Sequence, residues 1–237
     1  MSAQDALGKI GYKKSPALDD VAIYDSILSA VIDQRLPPGT RLTEAELCSI
    51  YGTSRRSIER VLVRLEAEGV VTIERNRGAR VARPTAQDAR DVFDLRRLVE
   101  VQVVKLLSGR ITSQAHHRMV ASLGAEDSRV QDTQDRARIH HSGDFHILLA
   151  DECGNSEIRR LVCRLVARTS LITQLFGNNQ ALDCWHDEHV RLVELLMEGE
   201  TEEAEALMVQ HLGSIEGALR LVEPRDQETS LRAALLR

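Results

Sequence analysis

The chain is poor in aromatic residues, with one Trp, three Tyr and three Phe in 237 positions. Its interior must therefore be filled by Leu, Val, Ile and Ala, a composition that leans helical. No apolar run reaches the roughly 18 residues of a membrane-spanning helix, and residues 1–14 lack the apolar stretch of an export signal. A cytoplasmic location is the expectation that follows. The four cysteines (Cys48, Cys153, Cys163 and Cys184) show no paired spacing and read as reduced thiols rather than a disulfide framework.

What is present is a hydrophobic content of 43%, enough to build one large domain or two modest ones, and a net charge of -5. The charge is unevenly placed. Residues 1–84 hold 13 basic and 11 acidic residues, whereas residues 85–237 hold 18 and 25. Within residues 53–83 there are eight arginines against four glutamates. A local basic stretch on an otherwise acidic chain suits a part that meets nucleic acid, attached to a body that phosphates repel.

That basic stretch has an ordered pattern. Ser15-Pro16 offers a helix start, and apolar residues from Leu18 to Val31 recur at helical spacing until about Arg35. Pro37-Pro38-Gly39 ends it. Thr43 and Glu46 have capping-box spacing for a second helix, and Gly52 makes a tight turn. Ser54 caps a third helix running to about Glu68, with Ile58, Leu62 and Leu65 inward and Gly69 as its stop. Val70–Ile73 and Ala79–Ala82 read as a hairpin with a cationic tip, Arg75-Asn76-Arg77-Gly78. This is a winged helix-turn-helix. Arg55, Arg56, Ser57 and Arg60, with Ser54, would face the major groove, while Arg77 and Gly78 would approach the minor groove. Any one of these arginines alone reads as ordinary solvated surface. The ordered set distinguishes the motif.

The pattern resembles the GntR family of bacterial transcription regulators over about residues 18–83. The resemblance is carried by Pro38-Gly39-Thr40-Arg41-Leu42, Glu46-Leu47, Ser54-Arg55, Leu62-x-x-Leu65-x-x-Glu68-Gly69 and Arg77-Gly78-Ala79-x-Val81. It implies that Arg41 and Arg55 touch double-stranded DNA. It also exposes a departure: Glu59 stands where the family usually has a second arginine, and Arg60 where it has a glutamate.

Beyond Thr85 and Asp88, another capping pair, no strand-like alternation occurs. Helices are expected near 86–109, 112–123, 126–152, 156–176, 180–198 and 201–222, the third with room for a break between Asp127 and Arg138. The fold class is mainly α, with a winged helix-turn-helix over residues 1–84, an all-α bundle over 85–223 and a tail over 224–237. His189 lies ten residues before Gly199 and His211 twelve after it. In an antiparallel hairpin both stand about 15–18 Å from the turn and meet at one level. His146 arrives from another helix. Three imidazoles converging in a bundle would bind a divalent metal such as zinc; taken one by one, each is equally a surface or satisfied core histidine. His116, His117, His140 and His141 read as surface. His186 lies one turn from His189 and reads as surface or as an outer neighbour of it.

The body resembles the FCD ligand-binding domain of the FadR subgroup over about residues 86–222. The matching pieces are Leu95-Arg96-Arg97-Leu98-Val99-Glu100, Phe145-His146-x-x-Leu149-Ala150-x-x-x-Gly154-Asn155, Glu188-His189 and Met208-x-x-His211-Leu212. The resemblance implies metal ligation by one aspartate with His146, His189 and His211. The aspartate position is Ser142 here, so a divalent site would carry +2 and favour a carboxylate. Arg96, Ser142 and Asn155 become candidate contacts to a small organic-acid effector; the plainer role for Arg96 is an ion pair with Glu100 worth tenths of a kcal/mol. The whole implies a homodimeric, effector-responsive regulator, more often a repressor, reading a pseudo-palindromic operator. A metal-dependent hydrolase using the histidines, with Asp187 or Glu188 as base, and a regulator with a vestigial metal site are the alternatives.

Overall fold

The computed structural model describes residues 19–74, 77–128, 135–177 and 185–221, and only the backbone of residues 125–128, 135–142 and 185. The fold is mainly α with one small antiparallel sheet near the N-terminal end. Helix α1 (Asp20–Ile32) starts at Asp19, whose carboxylate accepts the Ala22 amide at 2.8 Å. The expected start at Ser15-Pro16 lies outside the described residues, and α1 gives way at Asp33 rather than Arg35. Helix α2 (Glu44–Tyr51) is capped by Thr43, which accepts the Glu46 amide at 3.3 Å; the Glu46 carboxylate in turn meets the Thr43 hydroxyl at 3.5 Å.

The turn into α3 (Arg55–Ala67) passes through Gly52 at φ 63°, left-handed backbone that a residue with a Cβ adopts at a cost. Ser54 accepts the Ser57 amide and fixes where α3 begins. Ile58, Val61, Leu62 and Leu65 form its inward face. Strands β2 (Val71–Glu74) and β3 (Gly78–Val81) make the expected hairpin, with Val71 opposite Val81. A third strand, β1 (Arg41–Leu42), pairs with β3 to give the order β1-β3-β2. Two residues carry no readable alternation, so β1 is invisible to sequence patterning.

The body is helical throughout its described residues. Thr85 and Asp88 form a complete capping box at the start of α4 (Ala86–Leu107). Then follow α5 (Ser113–Ser128), α6 (Asp135–Glu152), α7 (Ser156–Phe176), α8 (Trp185–Glu198) and α9 (Thr201–Gly217). The break allowed for between Asp127 and Arg138 falls where α5 ends and α6 begins, and residues 129–134 lie outside the described residues. Helix α9 ends at Gly217 rather than near residue 222, and the expected start of α8 near 180, like the tail over 224–237, lies outside the described residues. Helix α4 packs against α7 and α9, α6 against α4, α5 and α7, and α8 against α9 with Gly199 at the turn. Phe93, Phe145, Met119, Leu149 and Leu165 lie fully buried between them. Helix α1 packs on α7 and joins the two parts. Among the described residues no helix is long and apolar enough to cross a membrane.

Two glycine replacements should separate the turn from the helix. Gly52→Ala forces a Cβ into left-handed backbone and should lower stability by about 1–2 kcal/mol in urea titrations. Gly213→Ala, on the exposed face of α9 with nothing near the added methyl, should raise it by about 0.5–1 kcal/mol.

Candidate DNA interface and metal centre

Helix α3 presents its first turn outward. Arg55 and Arg56 are exposed and Ser57 is half-buried. Arg55 pairs with Glu44 on α2 and, at 3.2 Å, with Glu59 one turn along α3. Glu59, the departure from the family pattern, is therefore a neighbour of the arginine next to it on that face. Arg60 is bound to Asp20 of α1 at 2.6 Å and to the Ser57 hydroxyl at 3.1 Å, which ties α3 to α1. The Asp20 carboxyl is held below its usual range by its hydrogen bonds from Arg60 and Ser57. Arg41 is exposed on β1, beside the wing strand β3, and Arg77 and Gly78 (φ 83°) are exposed in the wing. Surface pairs of this kind are worth little in water, so a phosphate or guanine edge competes with them readily. The expected wing residues Arg75 and Asn76 lie outside the described residues.

In the body, His146 of α6, His189 of α8 and His211 of α9 come together, each at most 2% exposed. Their ligand nitrogens all lie within 4.8 Å of one another. Nε2 of His211 stands 3.2 Å from Nε2 of His146 and 3.1 Å from Nε2 of His189. The outer faces of the rings are also held. Glu188 Oε2 accepts from His211 Nδ1 at 2.7 Å. Glu100 Oε2 lies 2.5 Å from His146 Nδ1. Phe145 stacks on His189 with ring centres 4.2 Å apart, fixing its tilt.

The chemistry of this donor set follows from the tautomers. An ionised carboxylate only accepts, so Glu188 and Glu100 place the ring protons of His211 and His146 on Nδ1. The two Nε2 atoms then confront each other with lone pairs at 3.2 Å. One proton relieves one such pair; a cation relieves all three nitrogens at once. Two nitrogens bound tetrahedrally to one zinc stand about 3.3 Å apart, close to the separations found. Carboxylates on the outer nitrogens are the usual supports of ligating imidazoles. The residues fit a divalent metal.

Charge supports the same conclusion. Burial drives the His146 pKa down to about 3, against the pull of Glu100 beside it, so the ring is neutral and its lone pair available. Burial works to raise the Glu100 carboxyl, but Arg96 and His146 outweigh it and hold it well below the carboxylate range. The hydrogen bond from His211 keeps Glu188 low as well. Arg96 binds Glu100 at 2.6 Å and Thr169 Oγ1 at 3.4 Å, and is 2% exposed. This ion pair is thus no surface contact worth tenths of a kcal/mol: breaking it leaves a charge stranded in the core. Two carboxylates face one guanidinium around the rings, so a divalent ion would bring the cluster to +1 rather than the +2 read from the histidines alone.

Sequence comparison now places the molecule. The model for bacterial regulatory proteins of the gntR family matches residues 20–81, and the FCD domain model matches residues 91–214. The chain belongs to the GntR family. It is a DNA-binding GntR-family transcriptional regulator with an FCD domain. It is similar to the HTH-type transcriptional repressor GlaR of Escherichia coli (strain K12), 27% identical over 202 residues covering 80% of this chain and 90% of GlaR. It is also similar to the HTH-type transcriptional regulator LutR of Bacillus subtilis (strain 168), 24% identical over 206 residues covering 78% and 93%. A GntR regulator from Rhodococcus sp. RHA1 shares the fold with a TM-score of 0.72 at 23% identity, covering 84% of this chain and 95% of that one. Escherichia coli McbR/YncC does so with a TM-score of 0.73 at 14% identity, covering 82% and 93%.

This GntR regulator brings His146, His189 and His211 into one cluster, with Arg96 joined to it through Glu100. Ser142 lies on α6, but its side chain is outside the described residues. Asn155 is placed differently from expectation: it is exposed and its Oδ1 caps α7, accepting from the Glu157 and Ile158 amides at 3.0 and 3.2 Å. A short polar residue preceding a helix is a capping signal, and here that role takes the side chain. Sequence reasoning missed the contact of Glu100 with His146 and the bond of Thr169 to Arg96. The Arg96–Glu100 spacing was visible, but the partners 46 and 73 residues away were not.

The neutral buried His146 makes stability depend on pH. Its folded pKa is below the unfolded value, so the unfolded chain takes up the proton first as pH falls. In chelator-treated protein, unfolding free energy should decline by about 1–2 kcal/mol between pH 7 and pH 5. His146→Gln should flatten that slope in urea titrations at each pH.

Proposed function

We propose that this regulator is a homodimeric repressor whose body binds a divalent metal, zinc in the first instance, through His146, His189 and His211, and takes up a small carboxylate effector beside it. The observation that carries this is the trio of inward Nε2 atoms with two outer nitrogens braced by Glu100 and Glu188. On this reading residues 1–84 bind DNA and residues 85–223 bind ligand and dimerise, with residues 224–237 as a tail. The work takes place in the cytoplasm, where the operator is. Repression is supported by the likeness to GlaR, itself named a repressor.

Arg96 Nη2 is buried with no hydrogen-bond partner among the described residues. An unpaired guanidinium N–H in the core is costly, and a carboxylate oxygen would satisfy it. Ser142, where the family has its aspartate, leaves coordination room for such an oxygen. The hydrolase alternative needs a free base near the rings. Glu188, 2.7 Å from His211, instead receives the His211 N–H and orients that ring, and Glu100 is buried against Arg96.

Two half-sites related by a two-fold axis would be read by Arg41, Ser54, Arg55, Arg56, Ser57, Arg60, Arg77 and Gly78 of each protomer. Effector binding would shift the population between head spacings that match the operator and those that do not.

Metal analysis of protein purified without chelator should find close to one zinc per protomer, and His189→Ala should weaken zinc binding at least about tenfold. No metal in either protein, with a ligand response intact, would remove coordination from the account. A selected operator measured by fluorescence anisotropy tests the other end. Arg55→Ala should weaken binding by about 1–3 kcal/mol, and Glu59→Gln, by releasing Arg55 and removing a like charge, should tighten it. A Glu59→Gln protein that binds more weakly would place Glu59 in direct contact with a base.

A further inference from the structure

Three consecutive residues of α7 reach three different neighbours. Arg168 Nη2 donates to Asp88 Oδ1 in the cap of α4 at 3.0 Å, and its side chain lies 3.3 Å from where a Cβ on Gly69 would stand, at the end of the recognition helix segment. Thr169 Oγ1 accepts from Arg96 Nη1 at 3.4 Å while donating to its own helix at Leu165 O, 2.9 Å away. Ser170 Oγ shares its proton between the carbonyls of Val31 and Ile32, 3.0 and 2.9 Å away. Those carbonyls belong to the last turn of α1, where a helix runs out of amides to pair them. Successive helical residues point about 100° apart, so the three side chains fan out to the linker, the ligand site and the DNA-binding part. Thr169 and Ser170 are both buried, and α7 cannot turn or slide without disturbing all three contacts.

A cleft of about 370 Å³ runs along α1 from Tyr24 to Asp33, with Arg64 and Glu68 of the head on one side and Asp144, Arg159 and Cys163 of the body on the other. Arg159 and Cys163 of the first half of α7 line this cleft, and Ser170 anchors the end of α1.

From this we infer that the Arg168–Ser170 turn of α7 is the pivot through which the histidine site sets the angle of the DNA-binding part. Glu100 joins His146 to Arg96, Thr169 joins Arg96 to α7, and Ser170 joins α7 to α1. Occupation of the site moves Arg96, α7 follows through Thr169, and α1 swings into or out of the cleft about Ser170. Ser170 is a positioning residue and touches no ligand. The inference rests on the reading of the histidine cluster as the ligand site, and its test separates the two.

Hydrogen–deuterium exchange of the full chain, with zinc ions alone as probe, reads the pivot. Zinc should change exchange of residues 29–36 at least about twofold in the unaltered protein. In Ser170→Ala, zinc affinity measured by chelator competition should stay within about twofold while the change at 29–36 disappears. Zinc binding without any change at 29–36, or a change that survives Ser170→Ala, would overturn the pivot. A second arm uses no metal and stays decisive if zinc fails to bind. Thr169→Val, which frees Arg96 from α7, should alter exchange at 29–36 when Ser170 is present and not when it is alanine. Equal responses in both backgrounds would overturn the inference even if the metal reading stands, and zinc that never binds would defeat the metal reading alone.

Discussion

Glu100 is a carboxylate at 2% exposure in the middle of a helical bundle. A charge so placed is tolerated only beside an opposite charge, and the groups around it tie the body together. Arg96 takes one oxygen from the same helix, and His146 of α6 meets the other. Arg96 then reaches Thr169 of α7. One buried negative charge thereby links α4, α6 and α7, sets the proton of His146 on its outer nitrogen and turns its lone pair towards His189 and His211. The metal fit, the charge of the site and the route towards α1 all descend from that carboxylate.

The DNA-binding part is organised by the opposite regime. Its arginines are exposed and their partners, Glu44, Glu59 and Asp20, are exposed or half-buried. In water these pairs are nearly balanced against solvation, so they orient the guanidinium groups without committing them. A polyanion can displace them at small cost. Glu59 places a negative charge on that same face, 3.2 Å from Arg55. The body thus holds its charges by burial, and the head holds its own by contacts that water already weakens.

Much of this architecture was legible in local patterns. Ser54 and Thr85 announced their helices because capping is decided by a side chain and an amide three residues apart. The hairpin rested on glycine and short alternating runs, and the α8–α9 meeting of His189 with His211 followed from equal distances along a turn at Gly199. Other features were silent. Strand β1 is too short to have a period, and it pairs with β3 across 37 residues of chain from Leu42 to Ala79. Asn155 sat inside a family-like string but is spent on capping α7. The apparent +2 of the site overlooked Glu188 and Glu100 because a count of ligands ignores what stands behind them.

The sequence by itself determined the helix-turn-helix, the wing, the family and which histidines to compare, since each of these is written in spacings of a few residues governed by caps, turns and periodicity. Only the tertiary structure decided that Arg96 is buried with Glu100, that carboxylates brace two of the three rings, and that Ser170 holds the end of α1. Those contacts join residues separated by tens to more than a hundred positions. Their existence depends on how helices cross in the packed bundle, and no local pattern carries the angle at which two helices meet.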